Sequence, residues 1–499
     1  IVSDPHSLNP LFVTAQSDVD ISQLYLESLV GLSAKNELIP LLADPVPSRA
    51  NGGVSPDGMT IVYHLRRGAR FADGVPVTSK DVAFTYRATL DPRNPVTSSD
   101  PYRRIASLAT PDASTVVVRL KYPWVAAVSE LFAVSDFIGG ILPAHAFAST
   151  DISRASWNEH PFGSGPFAVE RWRHGDRIEL TANTYAWRKP RLSRVVVRVL
   201  SDQTTLFVAL QTNDIDVATL TEEQIAPARR LPGVNIVETL QNHTIYVEYQ
   251  TARAPVSDPL VRRALVEAID REHVRNTVFL GFQPLATTEI PPIFAAHDRS
   301  VPPAKFDPAA AAADLERAGW HLRDGVRYKD GKPLQLLFAY ISTSVQARRL
   351  ATIYQEELAR VGVDLVVKGY PATAFYGAAS SGGIERGGNY DLAYTEWYGG
   401  SDPEESEFFT CANLAPAGAN TSFWCNHEYD RLFAQQMAEQ NVDARRKIFF
   451  AMQRVVHDAS VGDWLVNTTA YTATSARVRG WAPNMLFMYG NADQWDVSP

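Results

Sequence analysis

The chain has 499 residues, of which 45% are hydrophobic and 20% are charged, and its formal net charge is -8 at pH 7. This length exceeds what one hydrophobic core serves, so we expect two or three lobes. The acidic balance argues against a nucleic-acid-binding surface. The most apolar stretch, residues 128–148, is interrupted by Glu130, Asp136 and Pro143, so it does not predict a membrane span.

Residues 57–86 combine a strand, two turns and the start of a helix. Residues 60–65 alternate and are rich in β-formers, and turns are predicted at Gly68 and at Asp73-Gly74. Thr78 stands three residues before Asp81, which is the spacing of a capping box. We therefore predict a helix from Ser79 to about residue 89.

Predicted strands and predicted helices alternate through the rest of the chain, which indicates a mixed α/β protein. Asp258-Pro259 and Asp307-Pro308 each place a cap before a proline at the first helical position. The first of these helices has an apolar stripe that reaches residue 269, and the second ends at Gly319. Further strands are predicted at residues 116–120, 194–200, 234–240 and 244–249, with a helix at 203–210 and a helix followed by a strand within 346–368.

Cys411 and Cys425 are the two cysteines of the chain. A disulfide between them would close a loop of about 15 residues and contribute about 3 kcal/mol in the chain-entropy model. The alternative is a pair of buried thiols. A disulfide would indicate an oxidising compartment such as the periplasm. Since the chain begins at Ile1 rather than at a methionine, we interpret its start as the result of trimming an export signal.

Residues 57–86 also resemble the characteristic segment of the family 5 extracellular solute-binding proteins of ABC importers, which include peptide, nickel and opine receptors. The matching positions are Asp57-Gly58, Leu65-Arg66, Gly68, Phe71, Asp73-Gly74, Pro76, Thr78 and Asp81-Val82. Residues 161–187, 258–274 and 346–368 extend the resemblance to essentially the whole chain. Ser164 and Phe167 replace the usual threonine and tyrosine of the family.

The resemblance implies an α/β fold of the periplasmic binding protein type II-like kind, in which two lobes carry an additional inserted domain. It places domain I at residues 1–43, 165–244 and 466–499, domain II at 44–164, and domain III at 245–465. Domains I and III are the ligand-binding lobes in this family. Dipeptide-binding members also carry a cysteine pair around a similar loop, which favours the disulfide between Cys411 and Cys425.

No catalytic site is predicted. The run Phe162-Gly163-Ser164-Gly165 lacks the first glycine of a nucleophile elbow at the required position, so we expect a glycine turn. His427-Glu428 lacks a second histidine at the zincin spacing, and Glu428 is expected in a helix. We therefore predict neither a metal site nor a cofactor. The scattered histidines, which are interpreted as surface or core residues, include His64, His243, His273 and His457.

The segment from Tyr390 to Pro403 is the best candidate for a binding site. It runs from an alternating strand into an aromatic pair and then into a turn-forming loop. Aromatic faces beside a few polar groups suit a small amphipathic ligand, although Trp397 could equally pack in a core. The family resemblance favours the pocket, because its ligand-contacting loop follows a tryptophan here. The candidates are Trp397, Tyr398, Gly399, Gly400, Ser401 and Asp402.

Two charged groups that hold dipeptides in related receptors are not found at the corresponding positions. Gly400 stands where those receptors have an aspartate for the ligand's ammonium, and Ile341 stands near the place of an arginine for its carboxylate. Asp402 could substitute only if the loop turns it inward. Because a buried charge without a partner costs several kcal/mol, a free dipeptide is disfavoured. Longer peptides, an oligosaccharide or a nickel complex remain open, although Ala415 replaces the histidine of the nickel receptors.

Leu8-Asn9-Pro10 matches the family turn that forms the other wall of the pocket. The resemblance makes Thr14, Ala15 and Gln16 candidates for hydrogen bonds to a peptide backbone, against the alternative of a surface loop. The predicted function is therefore the binding component of an ABC importer, without catalysis, most simply for an oligopeptide. We expect a monomer outside the cytoplasm, peripheral to the membrane with or without a lipid tether, whose partners are permease and ATPase subunits. A hydrolase, and a sensor or chaperone on the same scaffold, are the alternatives.

Overall fold

The structure is a computed structural model, and it describes residues 1–12, 16–94, 96, 99–133, 140–147, 151–404 and 406–498. For residues 16, 17, 406 and 407 it describes the backbone alone. In chain order the helices are α1 Gln16–Tyr25, α2 Ser79–Leu90, α3 Asp100–Arg103, α4 Ala127–Glu130, α5 Gln203–Gln211, α6 Glu222–Ala228, α7 Pro259–Glu267, α8 Arg271–Val278, α9 Pro308–Arg317, α10 Val345–Arg360, α11 Ala372–Phe375, α12 Ser406–Phe409, α13 His427–Ala438 and α14 Val442–Ala459.

The strands alternate with these helices along the chain. They are β1 Val30–Leu32, β2 Leu38–Pro40, β3 Thr60–His64, β4 Ile105–Asp112, β5 Thr115–Leu120, β6 Phe167–Arg173, β7 Arg177–Ala182, β8 Arg194–Arg198, β9 Val217–Thr219, β10 Val234–Tyr249, β11 His321–Arg323, β12 Val326–Lys329, β13 Lys332–Pro333, β14 Gln335–Ile341, β15 Asp364–Tyr370, β16 Leu392–Tyr398, β17 Gly462–Ser475, β18 Val478–Arg479 and β19 Asp496–Val497.

The chain forms two compact units. Unit 1 contains Ile1–Thr239, Gly400–Asp402 and Ala470–Pro499, and unit 2 contains Leu240–Gly399 and Pro403–Thr469. The finer division into three domains, with the boundaries given above, stays a prediction. Among the described residues, no helix is both long enough and apolar enough to cross a membrane.

Unit 1 contains the three-stranded sheets β3-β5-β4 and β6-β7-β8. The predicted capping box is confirmed at the start of α2, where the Asp81 carboxylate accepts the Thr78 backbone N–H at 2.8 Å and its hydroxyl at 2.9 Å. A second oxygen of Asp81 accepts the backbone N–H of Ala144 at 3.0 Å. One carboxylate therefore caps the helix and also holds a distant loop of the same unit.

Unit 2 is built on a sheet with the strand order β15-β14-β16-β10-β17. Strands β14 and β15 are parallel, whereas β10 and β16 are antiparallel. Helices α7, α8, α9 and α10 contribute to a large apolar core against this sheet, including the buried Leu265, Leu315, Leu350 and Phe338. A second core, which contains the buried residues Tyr246, Phe409, Trp424 and Trp464, is completed by α13 and α14.

Most predicted elements are confirmed, and two boundaries are wrong. Residues 234–249 form the single strand β10 rather than two strands, because the polar residues at 241–243 continue the strand and two of them are buried. Helix α7 ends at Glu267 rather than at residue 269. There the Asp270 side chain accepts the backbone N–H of His273 and starts the separate helix α8.

Candidate functional site

The predicted aromatic pair lies at the end of β16 in unit 2. In the antiparallel pairing with β10, Trp397 lies opposite Thr244 and Tyr398 lies opposite His243. The residues of β16 are buried from Leu392 to Thr395, but the exposed fraction of Tyr398 is 52%. The strand therefore leaves the core just where the sequence predicts an exposed aromatic.

Trp397 combines the two alternatives considered from the sequence. Its ring packs against the second core of unit 2, and the ring centroids of Trp397 and Phe408 lie 3.7 Å apart. Its indole Nε1, however, is buried and has no hydrogen-bond partner among the described residues. An indole N–H usually has a partner when it is buried. The side chain is thus anchored in a core that offers its indole N–H no acceptor among the described residues.

His243, Tyr398 and Glu396 form a small group at the same strand end. The rings of His243 and Tyr398 stack with a centroid distance of 3.6 Å and an interplanar angle of 9°. His243 Nε2 lies 3.4 Å from Glu396 Oε2, and His243 Nδ1 lies 2.9 Å from the Thr468 hydroxyl. Burial tends to raise the pKa of Glu396, but His243 and the Tyr394 hydroxyl outweigh it and lower that pKa. Glu396 is therefore held as a carboxylate.

The face of the sheet that carries Trp397 also carries a set of polar residues that we name the acid–tyrosine cluster: Glu248, Glu385, Tyr390, Thr395 and Thr421. Glu248 is 4% exposed, and its carboxylate accepts the Tyr390 hydroxyl at 2.7 Å and the Thr421 hydroxyl at 3.0 Å. Glu385 is hydrogen-bonded to Thr395 of β16. The cluster thus links β10, β16 and the loop that contains Thr421.

The carboxyl groups of the acid–tyrosine cluster have raised pKa values. Burial is the main cause for both Glu248 and Glu385, and the negative charge of Glu248 raises the pKa of Glu385 further. Burial together with the charges of Glu385 and Glu396 also raises the pKa of Tyr376, to about 12. Both acids are therefore protonated more readily than an exposed glutamate, and the charge of Arg386 opposes the rise in the pKa of Glu385.

Three of the remaining predicted loop residues, Gly400–Asp402, belong to unit 1. The Ser401 hydroxyl donates to the Ser129 carbonyl oxygen at 3.0 Å and lies 3.3 Å from Glu130 Oε1, at the end of α4. A Cβ atom at Gly400 would lie 2.8 Å from the same Glu130 oxygen. Gly399 belongs to unit 2, where its backbone N–H donates to the Asn242 carbonyl oxygen at 3.0 Å. Asp402 is half-buried.

The N-terminal candidates are only partly described. Thr14 and Ala15 lie outside the described residues, and Gln16 begins α1 without a described side chain. Their proposed contacts with a peptide backbone stay predictions. Pro10, in the turn that precedes them, begins a short 3₁₀ helix, Pro10–Phe12.

The predicted disulfide is present. Cys411 and Cys425 are bonded with a Cα–Cα distance of 4.7 Å. The loop between them includes Thr421 of the acid–tyrosine cluster and Asn420, whose side chain donates to the Trp424 and Thr410 carbonyl oxygens. The two sulfurs and a ring nitrogen of His427 lie within 4.8 Å of one another. Because the sulfurs are bonded to each other, they provide no thiolate for a metal ion.

The motifs considered for catalysis have structural roles. A Cβ atom on Gly163 would lie 2.1 Å from the Tyr25 carbonyl oxygen, so this glycine is required by close approach of two backbone segments in unit 1. Ser164 beside it is 1% exposed, unlike the exposed serine of a nucleophile elbow. Glu428 lies in the first turn of α13 and pairs with Arg431.

Comparisons with known proteins agree with this geometry. The family model for bacterial extracellular solute-binding proteins, family 5, matches residues 37–418. The chain belongs to this family. The glutathione-binding protein GsiB of Shigella boydii is 25% identical over 501 residues, with 98% of this chain and 92% of that protein covered.

Two solved structures have the same fold. The oligopeptide-binding protein AppA of Bacillus subtilis, in complex with a nonapeptide, gives a TM-score of 0.82 at 21% identity, with 100% of this chain and 98% of that chain covered. NikA of Brucella suis, in complex with Fe(III)-EDTA, gives a TM-score of 0.86 at 21% identity, with 100% and 99% covered. The predicted fold class is therefore confirmed.

Membership in family 5 also confirms the predicted role as the substrate-binding component of an ABC importer. A family of extracellular solute-binding proteins implies a location outside the cytoplasm. Sequence reasoning missed several residues near the strand end. Glu248 could have been noticed as a charged residue among the apolar and aromatic residues at the end of β10, but Glu385 lies outside any motif.

Proposed function

We propose that this family 5 protein captures an oligopeptide or a peptide-like compound and delivers it to a permease. The observation that carries the proposal is the end of β16, where the Tyr398 ring is exposed and the Trp397 indole N–H has no hydrogen-bond partner among the described residues. Aromatic surface supplies affinity, and a fixed donor orients a carbonyl oxygen such as that of a peptide group. Micromolar affinity would correspond to about -8 kcal/mol.

The charge of the surroundings favours a ligand with a cationic group. Glu396 at the end of β16 is held as a carboxylate, and a carboxylate favours a cationic group. Glutathione, for which the relative GsiB is named, carries net negative charge at neutral pH. The Glu396 carboxylate disfavours that charge, so we expect basic or uncharged peptides to bind more tightly than glutathione.

An oligosaccharide and a nickel complex are the competing ligands. The aromatic pair would also suit a sugar ring. A nickel complex is disfavoured, because this chain has the buried Ala415 where the nickel receptors have a histidine. We propose that Tyr398, Gly399 and Asp402 contact the ligand together with Trp397, and that Thr14, Ala15 and Gln16 do so through hydrogen bonds to its backbone.

The test is a ligand panel read by thermal unfolding and by native mass spectrometry of the intact protein. The panel contains free-amino tripeptides and tetrapeptides, glutathione, oligosaccharides and nickel–histidine. At 100 times the Kd a ligand adds about 2.7 kcal/mol to stability, so a peptide that binds raises Tm. Stabilisation by sugars or nickel–histidine alone would contradict the proposal.

A matched pair of variants locates the site. Trp397→Phe keeps the ring and removes the indole N–H, so it should weaken peptide binding by several-fold. Trp481→Phe in unit 1 removes another buried indole N–H that has no hydrogen-bond partner among the described residues, and it should leave binding unchanged. Equal losses in both variants would show that Trp397 does not contact the ligand.

We also propose that the protein works as a monomer in the periplasm or tethered to the cell surface, with permease and ATPase partners. Light scattering of the purified protein tests the monomer. Co-purification with the permease from detergent-solubilised membranes tests the partnership, and a protein that transfers no bound peptide to such a complex would favour the sensor alternative.

A further inference from the structure

Three side chains that can bind a metal ion lie together at the start of α13 in unit 2. The two sulfurs of the Cys411–Cys425 disulfide and a ring nitrogen of His427 lie within 4.8 Å of one another. We name these residues the sulfur–histidine group. Atoms that bind one tetrahedral zinc ion lie about 3–4 Å apart, so small side-chain rotations would let one ion contact all three. Because a metal ion binds the thiolate form of cysteine, such a site exists only when the disulfide is reduced.

The two cysteines are held close together by more than their disulfide. The buried Asn420 side chain donates to the Thr410 carbonyl oxygen at 3.2 Å and to the Trp424 carbonyl oxygen at 2.8 Å. These carbonyl groups belong to the residues immediately before Cys411 and Cys425. One side-chain amide therefore bridges the two cysteine-bearing segments, and this bridge does not depend on the sulfur–sulfur bond.

The Asp430 carboxylate connects Cys411 with His427. One of its oxygens accepts the Cys411 backbone N–H at 3.0 Å, and the other lies 3.7 Å from His427 Nδ1. His427 is the first residue of α13, and the Asn426 side chain caps that helix. A zinc-bound histidine usually has a carboxylate or carbonyl group at its other ring nitrogen, which orients the ring and makes it a stronger ligand. Asp430 is placed for this role.

The sulfur–histidine group is accessible from solvent. Two of its members, Cys425 and His427, are exposed, so a small reductant and a metal ion can reach it. The first turn of α13 contains the acidic residues Glu428 and Asp430, and Arg431 on the same helix is paired with Glu428. The charges next to the group therefore do not oppose the binding of a cation.

We propose that the sulfur–histidine group is a redox-gated metal site, which binds zinc after a dithiol has reduced the disulfide. A thiolate of the dithiol attacks the exposed Cys425 sulfur and displaces the Cys411 thiolate, and the second thiol then attacks the mixed disulfide and releases Cys425. The dithiol gives up two electrons, becomes a cyclic disulfide and leaves its two protons on the cysteines. Zinc displaces these protons and binds both thiolates and the His427 imidazole, with water in the fourth position. The site is independent of the ligand that the protein captures.

The experiment compares the intact protein in its oxidised form with protein reduced by dithiothreitol and then freed of reductant without oxygen. Native mass spectrometry counts bound zinc, and cadmium in place of zinc reports thiolate ligation through its ultraviolet charge-transfer absorption. The reduced wild type should bind one zinc ion at the group, and the oxidised protein should bind none there. Because two thiols with a pKa of about 8.5 lose their protons, the apparent affinity should rise about 60-fold between pH 7 and pH 8.

Three variants separate the site from a simple pair of thiols. Asp430→Asn removes the outer carboxylate, which typically costs about 10- to 100-fold in metal affinity, and His427→Ala removes a ligand and should cost at least as much. Since His427 is exposed, the oxidised His427→Ala protein should unfold at the wild-type Tm. His321→Ala is the matched control, because His321 is also an exposed histidine of unit 2 beside a carboxylate, that of Glu316. It should keep the zinc affinity of the wild type.

Thermal unfolding gives a second readout. Zinc should restore part of the Tm that the wild type loses on reduction, because binding to the folded state stabilises it, and it should have no such effect on Cys411→Ser/Cys425→Ser. Equal zinc affinity of the oxidised and reduced wild type would overturn the proposal. So would equal affinity of the reduced wild type and His427→Ala, since two thiols alone would then explain the binding. A reduced protein that binds no zinc overturns it whether or not the chain stays folded.

Discussion

Two groups of buried acidic residues in unit 2 differ in what faces their carboxylates. Asp463 is fully buried, and its two oxygens face the Arg271 guanidinium at 2.5 Å and the Tyr354 hydroxyl at 2.6 Å. In the acid–tyrosine cluster Glu248 receives hydroxyl groups only, and Glu385 interacts unfavourably with the charge of Glu248. The first group contains a buried cation, whereas in the second the exposed Arg386 only partly opposes the rise in the pKa of Glu385.

The two groups also differ in how neighbouring charges change the pKa values of their carboxyl groups. Burial raises the pKa of Asp463, and Arg271 opposes that rise. Burial also raises the pKa of Glu385, and there the charge of Glu248 adds to the rise while that of Arg386 opposes it. Removal of the buried cation would leave Asp463 as an unpaired buried charge, whereas the acids of the cluster can relieve the cost of burial by binding protons. Burial alone therefore does not mark a functional acid.

Breaking the balanced group should have the largest effect. Arg271→Met leaves Asp463 buried without its cation, which typically costs about 3–5 kcal/mol. We expect a lower unfolding midpoint in urea at neutral pH. Arg275→Met on the same helix α8 removes an ion pair with the exposed Glu272 and should change the midpoint little. Similar losses in both variants would contradict the contrast drawn between the buried groups.

Loss of the disulfide should be the next largest effect. Cys411→Ser/Cys425→Ser opens a loop of about 15 residues, for which the chain-entropy model gives about 3 kcal/mol. Because Thr421 lies in this loop and donates to Glu248, the acid–tyrosine cluster should also loosen. Chemical denaturation with and without a reductant measures this. The wild type should approach the variant when reduced, and a variant as stable as the oxidised wild type would contradict the prediction.

Elements set by neighbouring residues could be predicted from the sequence, whereas contacts between distant strands could not. The helix start at Ser79 was predictable because Thr78 and Asp81 act over three residues, and the strand β16 was predictable from its alternation. The pairing of Tyr398 with His243 depends on the register between β10 and β16, which are separated by more than 140 residues. His243, which the sequence analysis groups with the scattered histidines, therefore lies beside the end of β16.

Glu130 shows the same limit more strongly. Its relation to Gly400 joins residues 270 positions apart, and neither residue belongs to a pattern with the other. The sequence correctly indicated that position 400 has no carboxylate of its own. It could not indicate that another carboxylate fills the space, because only tertiary structure brings α4 to this loop.

Removing the acids of the cluster should flatten the dependence of stability on pH. Since the folded pKa values of Glu248 and Glu385 are raised, mainly by burial, the folded state binds more protons than the unfolded state above the ordinary glutamate pKa of about 4.3. Stability contributed by their neutral forms is present at lower pH and is lost as the pH rises through the folded pKa values.

The double variant Glu248→Gln/Glu385→Gln should therefore match the wild type near pH 5 and exceed it at pH 8, by about 1.4 kcal/mol for each unit of pKa difference. Denaturation curves across this range measure the slope. Glu356→Gln, at an exposed position of α10, is the control and should keep the slope of the wild type. A double variant with an unchanged slope would show that the two acids are neutralised as fully as Asp463.

Tyr390→Phe should have the smallest effect and should depend on pH in the opposite way. The Tyr390 hydroxyl lies 2.7 Å from Glu248 and 2.6 Å from the Thr421 carbonyl oxygen, and its hydrogen bond lowers the pKa of Glu248. Removing it should cost about 1 kcal/mol and raise that pKa further. Stability should then fall more steeply between pH 5 and 8 than in the wild type, because charged Glu248 loses a donor that neutral Glu248 needs less. A slope shallower than that of the wild type would mean that another cation already balances the cluster.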